Sequence, residues 1–138
     1  MVTEDAPIHP RERVVSWEHR LASHPESIGQ ARRHARYVLE PYADEDMLER
    51  VELVVSELVT NAVRHGPGEL ITLRLASTPN GGIAGEVVDQ GDGVVAIREH
   101  GGALAGGLGL PIVDALTSDW GVYPGSTHVW FRFDAAAA

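Results

Sequence analysis

The stretch from Met47 to His65 constrains this chain more than any other. Val51, Val55, Leu58 and Ala62 recur at helical spacing, so the segment predicts a long helix that must bury one face. Asp44-Glu45-Asp46 puts negative charge where a helix N-terminus favours it, and Gly66-Pro67-Gly68 stops the helix. Glu57, Asn61 and His65 follow one another at steps of four, which stacks them on one strip at the margin of the apolar row. Polar groups at the edge of a buried face need partners. Two explanations fit the strip: a polar pair satisfied within the protein, or side chains that meet a bound ligand. His65 also precedes a helix-ending glycine, where the helix dipole favours an imidazolium by itself.

The rest of the chain can be ordered around this helix. Arg13 to Glu18 reads as a short strand, and Ser23 with Glu26 as a capping box for a helix that runs to about Leu39 and ends before Pro41. Arg32, Arg33 and Arg36 read as a solvated helix face. Leu70 to Ala76 alternates as a strand, Pro79-Asn80-Gly81-Gly82 as a hairpin turn, and Ile83 to Asp89 as a second strand. In that second strand Ile83, Gly85, Val87 and Asp89 share a face, so Asp89 points the same way as the core residues. Residues 94 to 106, rich in Gly and Ala, suit a mobile lid. Leu108 to Leu116 predicts a helix, and Trp120 to Tyr123 and Thr127 to Phe133 two closing strands. The order predicts an α+β fold: a two-layer α/β sandwich in which helices cover one face of a mixed, largely antiparallel sheet. At 138 residues the expectation is one domain over 1–138, with residues 1 to about 10 and 135–138 as loose tails.

Composition excludes several classes of chemistry. With 43% hydrophobic and 22% charged residues the chain has the balance of an ordinary globular protein rather than a disordered one. The absence of cysteine removes disulfides, zinc–thiolate sites and thiol nucleophiles together. The formal charge of −9 argues against direct nucleic-acid binding. No apolar run approaches the ~20 residues of a membrane span, and no secretory signal opens the sequence, so a cytoplasmic location without membrane contact is expected. All eleven basic residues are arginine, so a Walker-type loop, which needs its lysine, is ruled out. The seven histidines follow no metal-binding spacing, and Ser56 and Ser118 lack the context of a hydrolase nucleophile. Phosphates, if bound, must be held by backbone N–H groups, a metal ion or an arginine.

Three motifs fit such a site. On the long helix, Asn61 can offer its carbonyl oxygen to Mg²⁺, a hard cation that prefers oxygen ligands. Glu57, one turn earlier, can take a proton from an attacking hydroxyl or water. Asp89-Gln90-Gly91-Asp92-Gly93 follows a strand; it can be a tight turn, or an Asp that accepts from an adenine amino group while Gly91 and Gly93 let the base approach the backbone. Gly107-Leu108-Gly109, at a helix start, can present free N–H groups to phosphate. Thr127, near the start of the last strand, can reach a base edge through a shared water, or be an ordinary strand residue.

In order and spacing these pieces resemble the N, G1 and G2 boxes of the Bergerat-type ATP-binding fold, the histidine kinase-like ATPase superfamily. Ser56-Glu57-Leu58-Val59-Thr60-Asn61-Ala62-Val63-Arg64-His65-Gly66, then Gly107-Leu108-Gly109-Leu110-Pro111-Ile112-Val113, Asp119-Trp120-Gly121-Val122 and Val129-Trp130, are most similar to its actinobacterial anti-sigma factor serine/threonine kinases. The resemblance spans about Val14 to Phe133. It implies Glu57 as general base, Asn61 as Mg²⁺ ligand and Asp89 as adenine acceptor. It likewise implies Gly91 and Gly93 as one nucleotide turn, Gly107, Leu108 and Gly109 as the phosphate-side turn, and His65 at the same site. Counted from Gly125, Thr127 is the family threonine; aligned on Val129-Trp130, His128 takes that position. Ala105 departs from the pattern, standing where a longer glycine turn would begin. The implied cofactors are ATP and Mg²⁺, and the implied partners a sigma factor and an anti-sigma factor antagonist phosphorylated on Ser or Thr; a homodimer is also open. The alternatives are an ATP- or ADP-binding regulatory module without kinase activity, and a detached ATPase domain of a signalling or transport system.

Overall fold

The computed structural model describes residues 15–65, 68–89, 110–122 and 128–135, without the side chains of His65 and Leu110. The N-terminal tail and residues 136–138 lie outside the described residues. Five strands form one sheet in the order β1-β2-β3-β5-β4, with β1 Ser16–Ala22, β2 Leu70–Ser77, β3 Ile83–Asp89, β4 Asp119–Val122 and β5 Val129–Phe133. Every ladder among the described residues is antiparallel. Helices α1 (Glu26–Leu39), α2 (Glu45–His65) and α3 (Leu110–Leu116) complete the fold, with a 3₁₀ turn at Glu40–Tyr42.

The long helix forms where its apolar spacing predicts. Its cap is Asp44, whose Oδ1 accepts from the Met47 N–H at 2.9 Å, and Glu45 and Asp46 fill the first turn. Met47, Leu48, Val51, Val54, Val55, Leu58, Val59 and Ala62 are buried along it. Helix α1 turns Ala31, Ala35 and Leu39 inward; small residues there let it lie close to α2.

Three expectations need correction. The first strand lies at Ser16–Ala22 rather than Arg13 to Glu18, because its seven residues pair with Leu70 to Ala76 and that ladder, not local alternation, fixes its position. The Ser23–Glu26 capping box does not form. Pro25 occupies the cap position without a side-chain bond, and His24 serves the first turn instead, its Nδ1 accepting from the Glu26 N–H at 3.2 Å and its carbonyl from the Ser27 N–H at 2.9 Å. Nor are the α1 arginines simply solvated. Arg36 forms a fork on Glu45 at 2.8 and 2.9 Å and also binds Glu52, while Arg32 donates to Ser56 Oγ at 3.3 Å, so two of the three clamp α1 to α2.

In the sheet, alternation does what the sequence predicts. Leu21, Ile71, Leu73, Leu75, Ile83, Val87, Phe131 and Phe133 are buried on the helix side. The β2–β3 turn is closed by Thr78, whose N–H donates to the Gly82 carbonyl at 2.9 Å, with Gly81 at φ 85°. Gly85 sits on the core face opposite Phe131, and a Cβ there would collide with that ring. The absent side chain is what lets Phe131 lie across β3 and meet Phe133 edge-on at 5.8 Å. Among the described residues no helix is long and apolar enough to cross a membrane.

Between α1 and β1 the imidazoles of His34 and His19 stack, with ring centroids 4.0 Å apart and planes inclined by 16°. Burial, and secondly the neighbouring His19, push His34 below its ordinary value of 6.5, and its Nε2 is buried without a hydrogen-bond partner. The folded state therefore holds His34 neutral, while the unfolded chain takes up the proton as pH falls through the ordinary range. Its contribution is complete above pH 6.5 and lost below it. Between pH 7 and pH 5 the thermal midpoint of the wild type is expected to fall more steeply than that of His34→Phe, which keeps a flat ring but cannot be charged; parallel slopes would contradict the assignment.

Candidate nucleotide site

The strip on α2 lies where its sequence position predicts. Leu58 and Ala62 are buried, while Glu57 and Asn61 are half-buried, one turn apart, at the edge of that row. His65 is the last residue of α2. Within the helix the Thr60 hydroxyl donates to the Ser56 carbonyl at 2.6 Å, so this polar side chain is spent on the helix itself.

Asp89 ends β3. It pairs with Ile71 across the ladder and shares its face with buried Ile83 and Val87, which turns it to the helix side. Helix α2 packs against β3 and also against α3, so the elements that carry Glu57, Asn61 and Asp89 meet on one side of the sheet. Val113 anchors α3 with no exposed surface. Its far end is tied down by three bonds: Trp120 Nε1 to Asp114 Oδ1 at 2.8 Å, Thr117 Oγ1 to the Val113 carbonyl at 2.7 Å, and the Ser118 N–H to the Arg132 carbonyl at 2.8 Å. The Asp114–Trp120 pair has no spacing signature in the sequence and is visible only once β4 folds back beside α3.

Gly91, Gly93, Gly107, Leu108, Gly109 and Thr127, with the lid expected at residues 94 to 106, lie outside the described residues. His128 is half-buried just ahead of β5, in the same alternation as Trp130 and Arg132, whose side of the sheet carries no helix.

The donor chemistry suits a metal that arrives with its ligand. No group of three or more His, Asp or Glu that could hold a metal ion occurs among the described residues. Mg²⁺ is commonly bound by one or two protein oxygens together with phosphates, and keeps several waters. One carboxamide oxygen at the margin of a buried helix face fits that mode; a self-sufficient metal cage would not be made from it.

Residues 21–133 match the family of the histidine kinase-like ATPase domain. No curated protein matches the sequence. The fold is similar to that in the crystal structure of the RsbU and RsbW domains of Rv1364c from Mycobacterium tuberculosis, with a TM-score of 0.63 and 22% identity; the match covers 86% of this chain and 31% of that one. The chain thus spans about a third of the length of that neighbour. A family match over most of the length, on a sheet and helices arranged in this way, makes the chain a member of the histidine kinase-like ATPase family.

Proposed function

We propose that this chain binds ATP with Mg²⁺ between α2, β3 and α3 and passes the γ-phosphoryl group to a serine or threonine of an antagonist protein, in a switch that controls a sigma factor. The observation that carries the reading is the α2 strip: Glu57 and Asn61 half-buried one turn apart, on the helix that packs against both β3 and α3. Family membership supports the nucleotide; the resemblance of Ser56 to Gly66 to anti-sigma factor kinases supports the protein substrate and the regulatory setting.

Each residue then has a task. Asn61 holds Mg²⁺ through its carboxamide oxygen, and the metal supplies neutralisation of phosphate charge in a chain without lysine. Asp89 accepts from the adenine amino group. Gly91 and Gly93 allow the base close to the backbone, and Gly107, Leu108 and Gly109 present N–H groups to the phosphates, with His65 at the rim. Thr127 is the last-strand base contact, and the alternation of His128 with Trp130 favours it over His128. Glu57 takes the proton of the incoming hydroxyl as its oxygen bonds to the γ-phosphorus and the bond to the departing ADP oxygen breaks.

Two substitutions separate binding from transfer. Calorimetry should find ATP binding dependent on Mg²⁺ in the wild type and weakened in Asn61→Ala; undiminished affinity in the variant would remove Asn61 from the metal. Glu57→Ala should keep ATP affinity within a few-fold and lose labelled-phosphate transfer to the antagonist by on the order of 10²-fold or more. A wild type that binds ATP, captures a partner and phosphorylates nothing would instead be a nucleotide-bound binding module.

A further inference from the structure

On α1 the guanidinium groups of Arg32 and Arg33 converge over Gly29. A Cβ placed on that glycine would stand 3.3 Å from Arg33 Nη1 and 3.8 Å from Arg32 Nη2. Arg33 reaches this point because a helical side chain leans back over the preceding turn, towards the residue four positions earlier. Arg32 is held from another side: its Nη1 donates to Ser56 Oγ on α2 at 3.3 Å, which leaves Nη2 turned to Gly29. Both arginines are exposed, and Gly29 and Ser56 are half-buried beside them.

The charge of this cluster is not balanced within the protein. Among the described residues Arg20, Arg36, Arg50, Arg74 and Arg132 each reach a carboxylate. Arg32 reaches only the Ser56 hydroxyl, and neither it nor Arg33 pairs with a described carboxylate. Two like charges thus meet at one point, in a chain whose formal charge is −9. The glycine is the second anomaly. Inside a helix glycine is less stable than alanine. No core contact asks for it at position 29: beyond the helix's own backbone, the atoms nearest to a Cβ there are guanidinium atoms. The missing side chain leaves an open floor beneath both cations.

We propose that Arg32, Arg33 and Gly29 form a binding site for a phosphate dianion, as the free ion or as a phosphate monoester. One carboxylate neutralises one guanidinium, whereas two guanidinium groups converging on a point match a single group of charge near −2 with three acceptor oxygens. Their planar forks offer the paired N–H donors that phosphate takes, and Ser56 keeps one fork in position. The site is distinct from the nucleotide strip. Ser56 and Glu52 bond to α1 at one edge of the buried row of α2, and Glu57 and Asn61 lie at the other. The inference stands apart from the nucleotide reading, and either can fail without the other.

The test follows amide resonances of the labelled, nucleotide-free chain as sodium phosphate is added at constant ionic strength, slightly above neutral pH where the dianion predominates. Saturable shifts are expected at Gly29, Arg32, Arg33 and Ser56, with half-saturation at or below about 1 mM. Sodium acetate should not reproduce them. Arg32→Gln and Arg33→Gln should each weaken binding by on the order of 10-fold, and Arg33→Gln does so without touching the bond to Ser56. Arg20→Gln removes the same charge from β1 and should leave the affinity unchanged. A capped phosphoserine, titrated in parallel, tells the two sources apart: tighter binding than phosphate assigns the site to a phosphate monoester, weaker binding to the free ion. Absence of saturation overturns the proposal, as do shifts confined to Asn61 and Asp89. So does an equal loss in Arg20→Gln, which would reduce the effect to net charge.

Discussion

Burial of one face of α2 is the interaction on which the rest of this molecule depends. Val51, Val54, Val55, Leu58 and Val59 are each at most 2% exposed, and they close the core over the sheet. Each such side chain contributes about 1.5–3 kcal/mol relative to an exposed one, so the row far outweighs any single polar contact in the fold. Its direction matters as much as its strength. Once these residues face the sheet, helical geometry leaves Glu57 and Asn61 at the edge of the contact, on a helix that packs against both β3 and α3. The polar strip is flanked by buried hydrophobic neighbours one residue away, Leu58 beside Glu57 and Ala62 beside Asn61.

Charge is arranged around that core in two different ways. On the helical side Arg36 binds Glu45 and Glu52 and so holds α1 against α2. On the open side Arg74 joins Glu18 and Glu86 across three strands. Both clusters use the planar guanidinium as a fork, a geometry that a lysine ammonium does not offer. Among the described residues, Arg32, Arg36 and Arg74 are in this way spent on structure.

Much of this was legible before any coordinates. The α2 row, the strands Leu70–Ser77 and Ile83–Asp89, and the turn between them follow from strict periodicity and glycine punctuation, which are local properties. The order of elements and the helices on one side of the sheet follow as well. The first strand was harder to read, since His19 and Arg20 interrupt its apolar pattern and its register is set by β2, more than forty residues away. Pro25 displaced the capping box for a similar reason: sequence spacing identifies a possible cap, but the entry angle of the chain decides whether it forms. The arginine clamp and the Asp114–Trp120 bond join distant elements and have no local signature. For the site, the carboxylate and carboxamide of α2 and the position of Asp89 follow from periodicity alone. The meeting of Arg32 and Arg33 over Gly29 does not, because periodicity tells that both face solvent and not where their guanidinium groups end.

The central claim is that nucleotide enters on the helix side, between α2, β3 and α3. Amide resonances of the labelled protein, followed as ATP and Mg²⁺ are added, test it most directly. The account predicts shifts concentrated at the C-terminal half of α2 around Asn61, at the end of β3 around Asp89, and through α3 from Leu110 to Leu116. Shifts confined to Glu18, Arg74, Glu86 and Trp130 on the opposite face, or none at saturating ATP, would contradict it.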